Sequence, residues 1–272
     1  NLDTRTLSRT AYFILIPCFV FDMLSGVNIS LAAAGQMILF MSFIHFTLAL
    51  TGYLAARILK CSKELTAAFV IVATFGNVGN LGLSLIDFRL GPDAQTSTGI
   101  YFVTIVLLSF VICVGTASRA RGSGMTAVLS VFKTPALIAM IPAVFFCATD
   151  YSPPLFLSRI TGLLGKAMIP IMLLTLGVQL SEIDKFKFSF NVILASGIRL
   201  IVSPLIALVL TVFFTLSGME SSSGILMASM PVAVLGSIIA IEYDVEPEFV
   251  TTTVLFSTLV SILTLTILLY LV

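Results

Sequence analysis

The chain has 272 residues, of which 58% are apolar and 10% charged, and its formal net charge is +1. Soluble domains carry roughly 25% charged residues, so this composition excludes a water-exposed globular surface and defines an integral membrane protein, in keeping with a mean hydropathy of +1.15. The near-neutral balance gives no reason to expect a nucleic-acid partner. The four cysteines, Cys18, Cys61, Cys113 and Cys147, lie far apart without a C-x-x-C pair, so neither a disulfide framework nor a metal site is expected.

A hydrocarbon layer about 30 Å thick needs roughly 20 mostly apolar residues per helix. That ruler predicts nine spans, over about 7–26, 31–57, 65–88, 97–116, 133–149, 158–180, 189–215, 222–242 and 249–271. No charged stretch followed by a short apolar run and a small-residue cleavage site opens the chain, so no signal peptide is expected. The stretch 117–133 is basic, contains Gly and Ser, and turns weakly amphipathic, as an interfacial linker does. Counting sides alternately from Asn1, one side collects Arg5, Arg9, Arg57, Lys60, Lys63, Arg119, Arg121, Lys133, Lys185 and Lys187. The other holds Arg89, Arg159 and Lys166. Basic loops stay in the cytoplasm, which predicts a cytoplasmic start and an outer C-terminus, in a plasma or inner membrane.

The third span interrupts itself at Gly76-Asn77-Val78-Gly79-Asn80. Gly disfavours a helix by about 1 kcal/mol relative to Ala, and Asn offers its side chain to the local backbone. Freed backbone groups are costly in lipid, so such a run belongs where protein or a water-filled cavity supplies partners. The eighth span breaks by another route, in Met230–Gly236, because Pro231 lacks an amide hydrogen and clashes with the preceding turn. Each helix that restarts after a break presents unpaired N–H groups and about half a positive charge, the makings of an anion site. The candidate substrate contacts are therefore Asn77, Val78, Gly79, Asn80, Pro231, Val232 and Ala233. A packing role for the Gly/Asn run stands beside this reading.

The two halves of the chain resemble each other. "GVNIS" (Gly26–Ser30) pairs with "GVQLS" (Gly177–Ser181), and the run from Glu64 with that from Glu220, at offsets of about 151 to 156 residues. The second half has five spans and the first has four, which predicts an inverted repeat of five helices whose first member would precede Asn1. Few ionisable residues fall inside spans, and each needs a reason. Arg199 could draw an anion or bond freed carbonyls. His45, which a shift of about 154 superimposes on Arg199, fits hydrogen-bonded packing or an anion or coupling contact. Asp22 and Lys166 fit a pair near the outer end of their spans, or a coupling role.

These residues also resemble a known family. "GNVGNLGLSLIDFRLG" (Gly76–Gly91) is similar to the broken fourth helix of the auxin efflux carrier family, within the superfamily of bile-acid, arsenite and riboflavin-type transporters. The stretch Ala228–Tyr270 resembles that family's last two helices, and "TPALIAMIPAVFFC" with "LLGKAMIPIMLLTLGVQLS" its sixth and seventh. The resemblance implies an all-α membrane fold of ten helices in an inverted repeat with two crossing broken helices. It further implies a scaffold domain over 1–30 and 134–181, through which homodimers form, and a mobile transport domain over 31–116 and 182–272, with the linker 117–133 between. By position, Asn77 matches the asparagine that contacts the substrate carboxylate and Pro231 the proline that opens the second break. Ser84 and Gly236 stand where plant members place a second proline.

The expected function is a secondary transporter or uniporter that moves a small organic anion, a carboxylate of auxin-like or other kind, by elevator-type alternating access. A membrane sensor that binds an anion without moving it is the alternative. An enzyme is not expected: the single histidine excludes H-E-x-x-H, and no G-x-S-x-G occurs. No nucleotide-binding P-loop is present and no cofactor is expected.

Overall fold

A computed structural model describes residues 4–25, 31–122, 135–149, 151–181 and 189–272. Gly26–Ser30, most of the linker and residues 182–188 lie outside the described residues, and with them the expectations placed on "GVNIS", Lys133, Lys185 and Lys187.

Regular structure among the described residues is helical. The chain runs through α1 (Thr4–Thr10), α2 (Ile16–Ser25), α3 (Leu31–Ile58), α4 (Lys63–Thr74), α5 (Leu83–Leu90) and α6 (Gln95–Ala120). It continues with α7 (Pro135–Ala148), α8 (Leu155–Ser181), α9 (Phe190–Gly197), α10 (Ser203–Leu210), α11 (Gly218–Ala228), α12 (Val234–Glu242) and α13 (Pro247–Leu271). Among the described residues, four stretches are long and apolar enough to cross a bilayer unaided: Ala32–Ile58, Pro92–Ala120, Phe190–Leu210 and Pro247–Leu271. The stretches expected at 65–88 and 222–242 are instead pairs of short helices, α4 with α5 and α11 with α12.

At about 1.5 Å per residue, the 28 residues of α3 outreach the hydrocarbon layer. Its outer face shows Leu39, Phe43, Phe46 and Leu50, each more than half exposed. Such a stripe would drive aggregation in water, whereas lipid tails are as apolar as the side chains themselves. The fold is an all-α membrane protein.

Two wide turns stand just before a proline. A π-helical turn at Ala11–Leu15 precedes Pro17, and another at Ile198–Val202 precedes Pro204. Proline clashes with the carbonyl four residues earlier; those carbonyls belong to Phe13 and Leu200, and the wider turn moves them aside. The second of these turns carries Arg199 inward. In the packed arrangement α3, α4 and α6 pack on one another, while α2 packs on α7 and α8. Gly52 lets α3 approach α4 closely, since a Cβ there would stand 2.9 Å from the Phe69 carbonyl oxygen.

Candidate functional site

Helix α4 begins cleanly, with the Ser62 hydroxyl accepting from the Leu65 amide, and ends at Thr74. Phe75 is extended, and Asn77 (φ −77°, ψ 57°) leads into a π-helical turn over Val78–Gly82 before α5. Helix α11 opens with a capping box between Ser217 and Glu220 and ends at Ala228. Ala233 is extended (φ −78°, ψ 143°), and α12 follows. The two interruptions meet. Gly76 and Val232 form an isolated antiparallel bridge, in which the Asn77 amide donates to the Pro231 carbonyl at 2.7 Å and the Ala233 amide to the Phe75 carbonyl at 2.8 Å. Two broken helices thus satisfy part of each other's freed backbone.

Neighbouring helices supply the rest. Arg199, fully buried, donates from Nε to the Met230 carbonyl at 2.7 Å and from Nη1 to the Ala73 carbonyl at 3.1 Å and the Thr74 carbonyl at 3.4 Å. Its guanidinium therefore sits at the C-terminal ends of both α4 and α11, where the helix dipoles are negative. Gly76 makes room for it, since a Cβ there would come within 2.9 Å of Cζ and nearer still to Nη2. The Ser203 hydroxyl donates to the Ala228 carbonyl at 2.6 Å, and the Val232 amide donates to the Ser257 hydroxyl at 3.1 Å. These bonds are the condition on which irregular backbone survives at membrane depth.

The remaining donors identify what the crossing can offer a ligand. Among the described residues the Asn77 side-chain Nδ2 and Arg199 Nη2 are buried without a hydrogen-bond partner. The backbone amides of Gly79 and Asn80, and those of Val234 and Leu235, have none either. These four residues are only partly buried, whereas Asn77, Pro231, Val232 and Ala233 are buried. The restart ends thus face space, and the bridge itself does not.

The structure divides the sequence-derived candidates accordingly. Asn77, Gly79 and Asn80 keep free donors. The Val232 and Ala233 amides are already engaged, and the Val78 side chain is core. Pro231 contributes its carbonyl to the bridge. Val234 and Leu235, which sequence reasoning passed over, stand where Val232 and Ala233 were expected, because the extended segment runs to Ala233 before the helix restarts. Arg199 takes the carbonyl-bonding role, with one Nη2 unbonded. His45 is fully buried in α3 with Nδ1 3.0 Å from the Met41 carbonyl oxygen and Nε2 without a partner among the described residues. Asp22 and Lys166 line a separate cavity of about 360 Å³ together with Asp87, Gln95 and Thr98, and make no ion pair among the described residues. Asp22 instead packs across α8, where a Cβ on Gly162 would stand 3.1 Å from its Oδ1. No cluster of His, Cys, Asp or Glu suited to a metal occurs among the described residues.

An apolar helical fold whose interrupted helices leave unbonded amides and polar side chains in its interior is the construction of a membrane transporter. Residues 3–124 and 118–269 match the membrane transport protein family, and the chain belongs to that family, the auxin efflux carriers. An uncharacterized transporter of Methanothermobacter thermautotrophicus is 29% identical over 97% of this chain and 87% of its own length. An uncharacterized transporter of Methanocaldococcus jannaschii is 25% identical over 95% of this chain and 86% of its own. A protein of Rhizobium meliloti named as a candidate malonate transporter is 26% identical over 73% of this chain and 64% of its own.

Proposed function

We propose that this protein is a secondary transporter or uniporter for a small organic anion, bound at the crossing of the two broken helices. One observation carries the reading: unbonded donors of Asn77, Gly79, Asn80, Val234 and Leu235 gather at two helix N-termini that meet at one bridge. Donors without acceptors, at the positive ends of helices, suit a carboxylate. Arg199 supplies a fixed positive charge beside Gly76, so the anion need not bring its own counter-ion. The malonate named for the Rhizobium relative makes a dicarboxylate the first substrate to try.

In this reading the spans form a 5+5 inverted repeat. Residues 1–30 and 134–181 act as the scaffold and dimer contact, and 31–116 with 182–272 as the part that slides past it, as an elevator. The basic ends of α3, α4 and α6 face the cytoplasm.

The test is flux of radiolabelled malonate, and of other mono- and dicarboxylates, into proteoliposomes holding the full-length protein. Uptake above that of empty liposomes, competed by unlabelled substrate, is the expected result. Asn77→Ala removes a donor that nothing in the fold requires, so it should weaken substrate affinity about tenfold, the worth of one lost hydrogen bond to a charged group, and leave the unfolding temperature unchanged. An unaltered affinity would remove Asn77 from the site. Saturable binding without flux would instead make the protein an anion sensor.

A further inference from the structure

At one membrane boundary the ends of α3, α4 and α6 enclose a pocket of about 290 Å³ whose lining includes Tyr53, Arg57, Lys63, Thr66, Thr116 and Arg119. Three cations from three helices converge there, and among the described residues no carboxylate lines it. The contrast with Arg121, two residues beyond Arg119, is informative. Arg121 is held by Asp244, donating to its carboxylate and its carbonyl, and donates from Nε to the Tyr243 carbonyl at 3.1 Å. Arg57, Lys63 and Arg119 have no ion pair or side-chain hydrogen bond among the described residues. The Arg57 guanidinium lies 6.0 Å from the Tyr53 ring centroid, a contact with the ring face that uses none of its N–H donors in a hydrogen bond. The Thr66 and Thr116 hydroxyls donate to the Ser62 and Ile112 carbonyls of their own helices, so the charged donors left unused are those of the cations. Like charges held this close repel one another unless an anion joins them.

The approach to the pocket is greasy. Leu50, Leu54 and Ile58, on the turns of α3 that lead to Arg57, are 55%, 47% and 79% exposed. An anion arriving from water alone would have no use for that stripe, whereas acyl chains would lie along it. We propose that this pocket binds the phosphate of an anionic phospholipid, with its acyl chains on the outer face of α3. Basic pockets between transmembrane helices at such a boundary suit anionic headgroups, and the planar Arg forks match phosphate oxygens. The site is remote from the helix crossing and does not depend on the transport reading.

Purified full-length protein in neutral detergent tests it by thermal unfolding against phosphatidylglycerol, phosphatidylcholine and inorganic phosphate. Phosphatidylglycerol should raise the midpoint by about 4 °C or more at saturation, with no comparable rise from the other two. The Arg57→Gln/Lys63→Gln/Arg119→Gln variant should lose that rise, and so in large part should Arg119→Gln alone, which changes one exposed residue and does not threaten the fold. Lys60→Gln, a charge removed nearby but outside the pocket, should keep it. No rise with phosphatidylglycerol, or an equal rise in the triple variant, would overturn the proposal. An equal rise with inorganic phosphate would overturn the lipid as its source.

Discussion

Arg199 is the residue on which the crossing turns. A guanidinium removed from water is costly, and here its Nε and Nη1 bonds satisfy carbonyls at the ends of two different helices. Removing it strands those carbonyls, at about 1–3 kcal/mol each. Arg199→Met should therefore lower stability by about 3 kcal/mol or more. Arg199→Lys should recover only part, because an ammonium cannot reproduce the fork. Gly76→Ala places a methyl against the same guanidinium and should cost about 1–3 kcal/mol, as overpacking does. The two changes share one cause, so they should not add: Gly76→Ala should cost markedly less in the Arg199→Met background. Chemical or thermal unfolding of the four proteins closes this cycle, and strict additivity would mean that Gly76 is there for another reason. That Arg199 touches a break was legible only as one of two options in the sequence. Its partners lie 31 and 126 residues away, beyond any local pattern.

At the scale of elements, the breaks themselves were legible, because Gly, Asn and Pro in an apolar run act on the local backbone. What satisfies the broken backbone was not. The Val232 amide looked free as part of a helix start, yet it is engaged by Ser257 from α13. Likewise the Ala233 amide is taken by Phe75 of the other break. Such pairings are set by which helices touch, and hydropathy along one strand of sequence carries no record of that. The outcome moves the free helix start on by two residues, to Val234 and Leu235. Ser257 also forms part of a series, Thr253, Ser257 and Ser261, four residues apart and all buried, which puts hydroxyls on one face of α13. Ser257→Ala leaves the Val232 amide unpaired in a buried place and should cost about 1–3 kcal/mol. Thr264→Ala on the same helix, only partly buried, should cost much less. Equal effects of the two on the unfolding midpoint would mean that the Ser257 contact contributes nothing to holding the break.

For the whole molecule, the proposed topology takes the polypeptide between Lys63 and Leu90 from one boundary to the other through the break. Lys60 and Asp93 must then lie on opposite sides of the membrane, whichever way the protein is inserted. Lys60 stands among Arg57, Lys63, Arg119 and Arg121, whereas the turn holding Asp93, at Gly91 (φ 75°) and Pro92, has Arg89 beside it and Lys166 across the cavity that Gly91 and Gln95 line. The excess of Lys and Arg decides insertion, and carboxylates weigh little, so the acidic residues near Glu242 do not reverse the expectation. The chain's own Cys18, Cys61 and Cys147 are partly exposed, so the measurement needs a cysteine-free background. In intact cells a membrane-impermeant maleimide should label Asp93→Cys there and leave Lys60→Cys unlabelled until the membrane is opened. Labelling of Lys60→Cys alone would invert the protein, moving the basic pocket to the outer leaflet. Labelling of both in intact cells would mean that residues 63–90 do not traverse the bilayer. The bridge between Gly76 and Val232 would then not lie at mid-bilayer as proposed, and the anion site drawn from that bridge would fall with it.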